Sequence, residues 1–188
     1  MTSLKTLGQA FFNGSLLKSL LVAGALLSFS SCEDGLDNLY PMNQCVMTAD
    51  QKEEQKALDI EVIKKHFEDN SLNLAEYQVT PSGLHYKVLE QGTGDLIKVG
   101  DKIDVHYVGK FLNGTTFDSS YEKAQAFKMT VGTTQVIQGW TEAVQLMKVG
   151  EETRFYIPSY IAYGRCGSGS GIMPNAVLMF DIKIIRKY

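Results

Sequence analysis

From residue 102 to 110 the chain alternates. Ile103, Val105 and Tyr107 fall on one side and Lys102, Asp104 and His106 on the other, the period of a strand with one buried face. Asn113-Gly114 sits between two such runs and predicts a tight hairpin, because both residue types tolerate the backbone angles of a short turn. After Gly139 the period lengthens. Trp140, Ala143, Val144 and Met147 recur at helical spacing, and Gly150, just past Lys148-Val149, is placed to stop a helix. The last run alternates again, with Leu178, Phe180, Ile182 and Ile184 against Met179, Asp181 and Lys183. Shorter strands are expected at 84–88, 127–130 and 154–157. One short helix among many antiparallel strands predicts an α+β domain with the helix packed on one sheet face.

Upstream the pattern changes twice. Thr48 and Gln51 have the spacing of a capping box and open a helix expected to run to about Asp69. Ala57, Ile60, Ile63 and Phe67 would form its apolar stripe, which either packs on the main domain or pairs weakly with another chain. Residues 33–47 show no periodicity and read as a tether. Before them, Lys5 and Lys18 precede an apolar run from Leu20 to Phe29, followed by Ser30-Ser31-Cys32. That run is too short to span a bilayer, and the layout is that of a secretory signal peptide.

Charge narrows the function. From Cys32 onward 16 basic side chains face 21 acidic ones, a formal −5, and no basic stripe appears, which argues against nucleic acid. His66 and His85 have no ligand-like company, and His106 alternates with Tyr107, so no metal site is expected. What remains is an ordered series of aromatic and branched residues: VHYVGKFLNGTTFD from Val105 to Asp118, VIQGW from Val136 to Trp140, AYG from Ala162 to Gly164, and Phe180-Asp181. Singly, each large apolar member fits plain core packing. Asp118 and Tyr163 fit turn or loop roles. Together they describe one apolar pocket with a few polar atoms at its rim, and no nucleophile or phosphate loop.

In this order and spacing the strings VHYVGKFLNGTTFDSS, FKMTVGTTQVIQGW, GEETRFYIP, AYG and NAVLMFDIKI resemble a complete FKBP-type peptidyl-prolyl isomerase domain over residues 82–188. The resemblance implies the FKBP-like fold and a pocket made of Tyr107, Phe117, Asp118, Phe127, Val136, Ile137, Trp140, Tyr163, Ile172 and Phe180. It implies an antiparallel twisted sheet wrapped around the one short helix, with Trp140 as the pocket floor. It also implies that the Ile137 N–H and the Tyr163 hydroxyl hold substrate carbonyls, that Asp118 stands at the rim, and that Tyr107 counts with Asp118, Ile137 and Tyr163 in the catalytic set. The implied substrates are proline-containing polypeptides, the implied inhibitors are macrolides, and no cofactor is expected. The alternative reading is a binding or chaperone module that uses the same pocket without useful turnover. Four features depart from the family: the CGSGSG run from Cys166, Gly171 within it, Met173 before Pro174, and Tyr160 where an acid is frequent. All four are expected in the stretch that walls the pocket's upper side.

Ser-Ser-Cys after the apolar run resembles a bacterial lipoprotein signal, with Cys32 lipidated at the new N-terminus. The implied organisation is a signal peptide over 1–31, a tether over 32–47, a helix and linker over 48–81, and the isomerase domain over 82–188. The implied location is the bacterial cell envelope, anchored by lipid to the outer membrane, facing either side. Relatives that dimerise carry a much longer helical N-terminal region, so a monomer is expected. Cys45 and Cys166 are the thiols left over, and in an oxidising compartment an even pair invites a disulfide.

Overall fold

The computed structural model of the protein describes residues 45–169 and 171–188. The expected signal peptide, Cys32 and the tether as far as residue 44 lie outside the described residues. A helix α1, Ala49–Asp69, comes first, and the strands follow: β1 Gln78–Val79, β2 His85–Glu90, β3 Lys102–Phe111, β4 Thr116–Ser119 and β5 Phe127–Thr130. A short helix α2, Gln138–Gln145, precedes β6, Glu152–Ile157, and β7, Leu178–Lys187. Every strand pairing is antiparallel. The order across the sheet is β1-β2-β6-β7-β3-β4, with β5 also on β3.

Alternation explains the main core. Ile103, Val105, Tyr107, Phe155, Leu178, Phe180, Ile182 and Ile184 face α2, whose Trp140, Ala143 and Val144 pack into them. Gly139 opens that helix because a Cβ there would lie 2.4 Å from Ile157 Cγ2, so only glycine lets α2 settle this close to β6. The Asn113-Gly114 turn forms as the sequence predicts, with Gly114 at φ +87° and its N–H donating to the Phe111 carbonyl.

Three expectations need correcting. First, α2 stops at Gln145, well before Gly150. The Met147 carbonyl accepts from Ile97 N at 3.0 Å, and Lys148 bridges to Leu96, so a pairing from fifty residues upstream takes over the last expected turn. Second, the polar side of β3 is not all solvated. Asp104 is buried beneath Arg186 and Tyr188, which donate to its Oδ2 at 2.8 Å each. Third, the apolar stripe of α1 is not the one expected, although the helix packs on the domain as one of the two readings had it, covering the far side of β6 and β7. The capping box of Thr48 and Gln51 forms, and α1 lies back on the domain through Ile63 and Phe67, which pack with Tyr156, Val177 and Met179. Ala57 is exposed, and the buried stripe runs through Asp59, Ile63 and Phe67 instead. The strand β1 had no signal in the sequence.

Candidate active site

The site is built on β3, β4, β5, the start of α2 and the turns before β7. Tyr107 on β3 and Phe180 on β7 point to the same side of the sheet as Trp140, and all three are buried. Trp140 is met edge-on by Tyr107, Phe180 and Phe127, at ring separations of 5.0, 5.4 and 5.9 Å. Phe117 meets Phe180 edge-on at 5.5 Å. Edge-to-face packing places the positive rim of one ring on the negative face of the next. Gly109 lets these rings close up: a Cβ there would come within 2.7 Å of Phe117 and 2.8 Å of Phe180. The rings line an open cavity of about 320 Å³, lined also by Val136, Ile137, Tyr163, Asp118, Lys123 and Gln135.

Polar atoms gather at the margin. The Tyr107 hydroxyl donates to Asp118 Oδ2 at 2.7 Å, and Lys123 Nζ pairs with the other carboxylate oxygen and reaches the Tyr107 oxygen at 3.3 Å. Burial pushes the Asp118 carboxyl up, but the hydrogen bonds from Lys123 and Tyr107 outweigh it and hold the group below its ordinary value. Burial raises Tyr107, with the hydrogen bond to Asp118 adding to it. Burial and then the Asp118 charge raise Tyr163. Hydrogen bonding to Asp118 raises Lys123. At neutral pH the margin therefore holds one carboxylate, one ammonium and two intact hydroxyls. The Ile137 N–H, at the N-terminal cap of α2, and the Tyr163 hydroxyl meet no acceptor among the described residues.

Nine of the ten residues expected in the pocket line this cavity. Ile172 does not. It stands in an adjoining depression with Phe117, Asp118, Tyr163, Ser168, Gly169 and Gly171. The Ser168 N–H donates to the Ile172 carbonyl at 2.9 Å, and Ile172 itself packs half-buried against the main core. Tyr160 and Met173 are also off the cavity. The Tyr160 hydroxyl donates to the Ser82 carbonyl at 2.7 Å, and Met173 is solvent-exposed. Cys166 at the start of the glycine-rich loop is joined to Cys45 by a disulfide, which holds the last residues of the expected tether against the domain. His106 stacks on Tyr121 and contacts Ser120, away from the cavity. Sequence reasoning missed Lys123 and Gln135. The signal for Lys123 was an opposite charge five residues after Asp118, across an exposed turn.

An open, aromatic-lined cavity with donors at its edge and, among the described residues, no nucleophile poised on a base suits binding and reshaping a ligand without a covalent step. The family model for FKBP-type peptidyl-prolyl cis-trans isomerase matches residues 94–185. The chain is 36% identical to the probable FKBP-type peptidyl-prolyl cis-trans isomerase FkpA of Neisseria meningitidis, over 92% of this chain and 70% of that one. It is 41% identical to the FK506-binding protein of the same organism, over 56% of this chain and 97% of that one. Some longer relatives are spanned over only 45% and 38% of their length. The crystal structure of FkpA from Escherichia coli is similar with a TM-score of 0.60 at 31% identity, covering 73% of this chain and 63% of that one. The chain belongs to the FKBP-type peptidyl-prolyl cis-trans isomerase family and is an enzyme of that class.

Proposed function

We propose that this isomerase acts on X–Pro bonds of exported proteins, as a monomer held to the bacterial outer membrane by lipid on Cys32. The observation that carries the chemical reading is the ring of Tyr107, Phe127, Trp140 and Phe180 around an open cavity, with the Ile137 N–H and Tyr163 hydroxyl at its edge. An X–Pro amide has a small preference for trans but a rotation barrier of roughly 18–20 kcal/mol. Twisting it removes resonance, makes the nitrogen pyramidal and lowers the polarity of the carbonyl. A dry aromatic wall disfavours the more polar planar amide and grips the proline ring in the twisted form. Donors at the rim fix the neighbouring carbonyls. Only binding that improves in the twisted state speeds the step. A millionfold gain requires about 8 kcal/mol of such differential binding.

The address is supported by the sequence alone: lysines, a short apolar run and Ser30-Ser31-Cys32. Two or more acyl chains anchor stably where one does not. A monomer is supported by α1, which spends Ile63 and Phe67 on its own domain. The cavity is also the expected seat of a macrolide of the FK506 class, competing with substrate. A protease-coupled assay on a prolyl tetrapeptide tests the activity. Peptide binding without turnover would make the chain a binding module instead. Membrane fractionation tests the address: wild type should partition with membranes and Cys32→Ala should not. Equal partitioning, with no acyl mass on the mature N-terminus, would contradict it.

A further inference from the structure

We infer that Asp59 of α1 is a positioning residue for the isomerase site, holding through Ser159 the turn that delivers Tyr163 to the cavity. Asp59 is only 1% exposed and sits on the helix face that otherwise presents Ile63 and Phe67. A carboxylate in that place is costly unless donors meet it. The Ser159 hydroxyl lies 3.0 and 2.9 Å from its two oxygens, and Gln55 Nε2 donates to Oδ1 at 2.9 Å. The Tyr160 N–H points at Oδ2 from 3.4 Å. Burial pushes the carboxyl above its ordinary value even with these donors in place. Adhesion of the helix to the domain does not need such a group, because Ile63 and Phe67 supply it. A buried charge with fixed donors adds direction, since its hydrogen bonds are satisfied in one geometry only.

That geometry governs the site. Ser159–Ile161 is a single 3₁₀ turn, with the Ala162 N–H donating to the Ser159 carbonyl at 2.9 Å, and Tyr163 follows at once. Tyr160 adds a second hold through Ser82, whose hydroxyl donates to Glu142 of α2 at 2.8 Å. At the far end of the same stretch Cys166 is bonded to Cys45, and Arg165 reaches Gln51 Oε1 at 3.4 Å. Residues 159–166 are thus gripped at both ends by side chains that lie before residue 94, where the family match begins. Misplacing a positioned group by even an ångström is costly to a reaction that works by fit.

The test uses the full chain and four single variants: Asp59→Ala, Asp59→Asn, Ser159→Ala and, as the control for lost stability, Ile63→Ala. Asp59→Ala and Ser159→Ala should each lower kcat/KM on a prolyl tetrapeptide by about tenfold, in kcat more than in KM. The double variant should lose little more than either single one, because both remove one interaction. Asp59→Asn keeps an acceptor for the Ser159 hydroxyl and should recover most of the rate. Ile63→Ala should lower Tm by as much as Asp59→Ala while keeping kcat/KM within about twofold of wild type. Hydrogen exchange at the Ile161 and Ala162 amides should quicken in Asp59→Ala and not in Ile63→Ala. The inference rests on the isomerase reading. An inactive wild type would sink that reading, and the exchange result would still decide this one. Wild-type exchange in Asp59→Ala overturns the inference, and so does a rate loss in Ile63→Ala that equals the loss in Asp59→Ala.

Discussion

The two faces of the sheet each carry a nest of aromatic rings. On one face Trp140 receives the edges of Tyr107, Phe127 and Phe180. On the other, Phe67 of α1 meets Tyr77 at 4.5 Å and Tyr156 at 4.8 Å. Adjacent residues of one strand serve the two sides: Phe155 packs in the core cluster that carries the first nest, and Tyr156 joins the second. The ring chemistry is the same, so it cannot be what makes a site. The difference is filling. Ile63, Val177 and Met179 close the α1 nest, leaving Phe67 and Tyr156 only 2% and 1% exposed. No side chain fills the middle of the other nest, and Asp118, Lys123, Tyr163 and the Ile137 N–H stand around the opening. Unfilled volume beside the unspent Tyr163 and Ile137 donors fits the proposed catalytic side. Close packing of the same rings marks the structural side.

The comparison can be broken in several ways. The largest effect should come from reduction. The Cys45–Cys166 bridge closes a separation of 121 residues. Opening it should cost roughly 4–5 kcal/mol, less any strain, through the freedom regained by the unfolded chain. The check is Tm with and without dithiothreitol, and two titratable thiols in protein purified from the periplasm would contradict the bridge. Next come the two nests themselves. Trp140→Ala and Phe67→Ala should each cost about 3–5 kcal/mol in denaturant unfolding. Trp140→Ala should abolish turnover, whereas Phe67→Ala should keep it at temperatures where the variant is folded. Equal loss of activity in both would erase the distinction between the faces.

A smaller effect separates the nests by pH. His85 is buried beside Phe67, with Nδ1 2.8 Å from the Gly83 carbonyl, and burial lowers its pKa below the ordinary value. The unfolded histidine takes up a proton below about pH 6.5 while the folded ring stays neutral. Stability is therefore fully present above that pH and declines as pH falls towards the depressed folded value. His85→Gln should flatten this decline in Tm. The rate should stay flat between about pH 6 and pH 8, because Asp118 titrates below that window and Tyr107, Tyr163 and Lys123 above it.

Much of this was legible in the sequence, and what was not has a common cause. Alternation in β3 and β7 and the capping box at Thr48 are local signals, and they appear where the pattern puts them. The pocket aromatics were legible from their order and spacing along the chain. The failures involve long-range partners. Asp59 is buried because Ser159 lies 100 residues away, and Asp104 because Arg186 and Tyr188 lie 82 and 84 away. The end of α2 is set by Ile97, about fifty residues upstream. A polar residue in an amphipathic stripe gives no notice that a donor will be folded onto it.

The central claim is that catalysis belongs to the open nest and its rim, without an ionised nucleophile. The most direct measurement is kcat/KM of the Asp118→Ala, Tyr163→Phe double variant on a prolyl tetrapeptide, with Tm recorded alongside. The account predicts a loss of at least about tenfold, ~1.4 kcal/mol, with little change in Tm, because both groups sit at the rim. Robust wild-type activity left untouched in the double variant would contradict it.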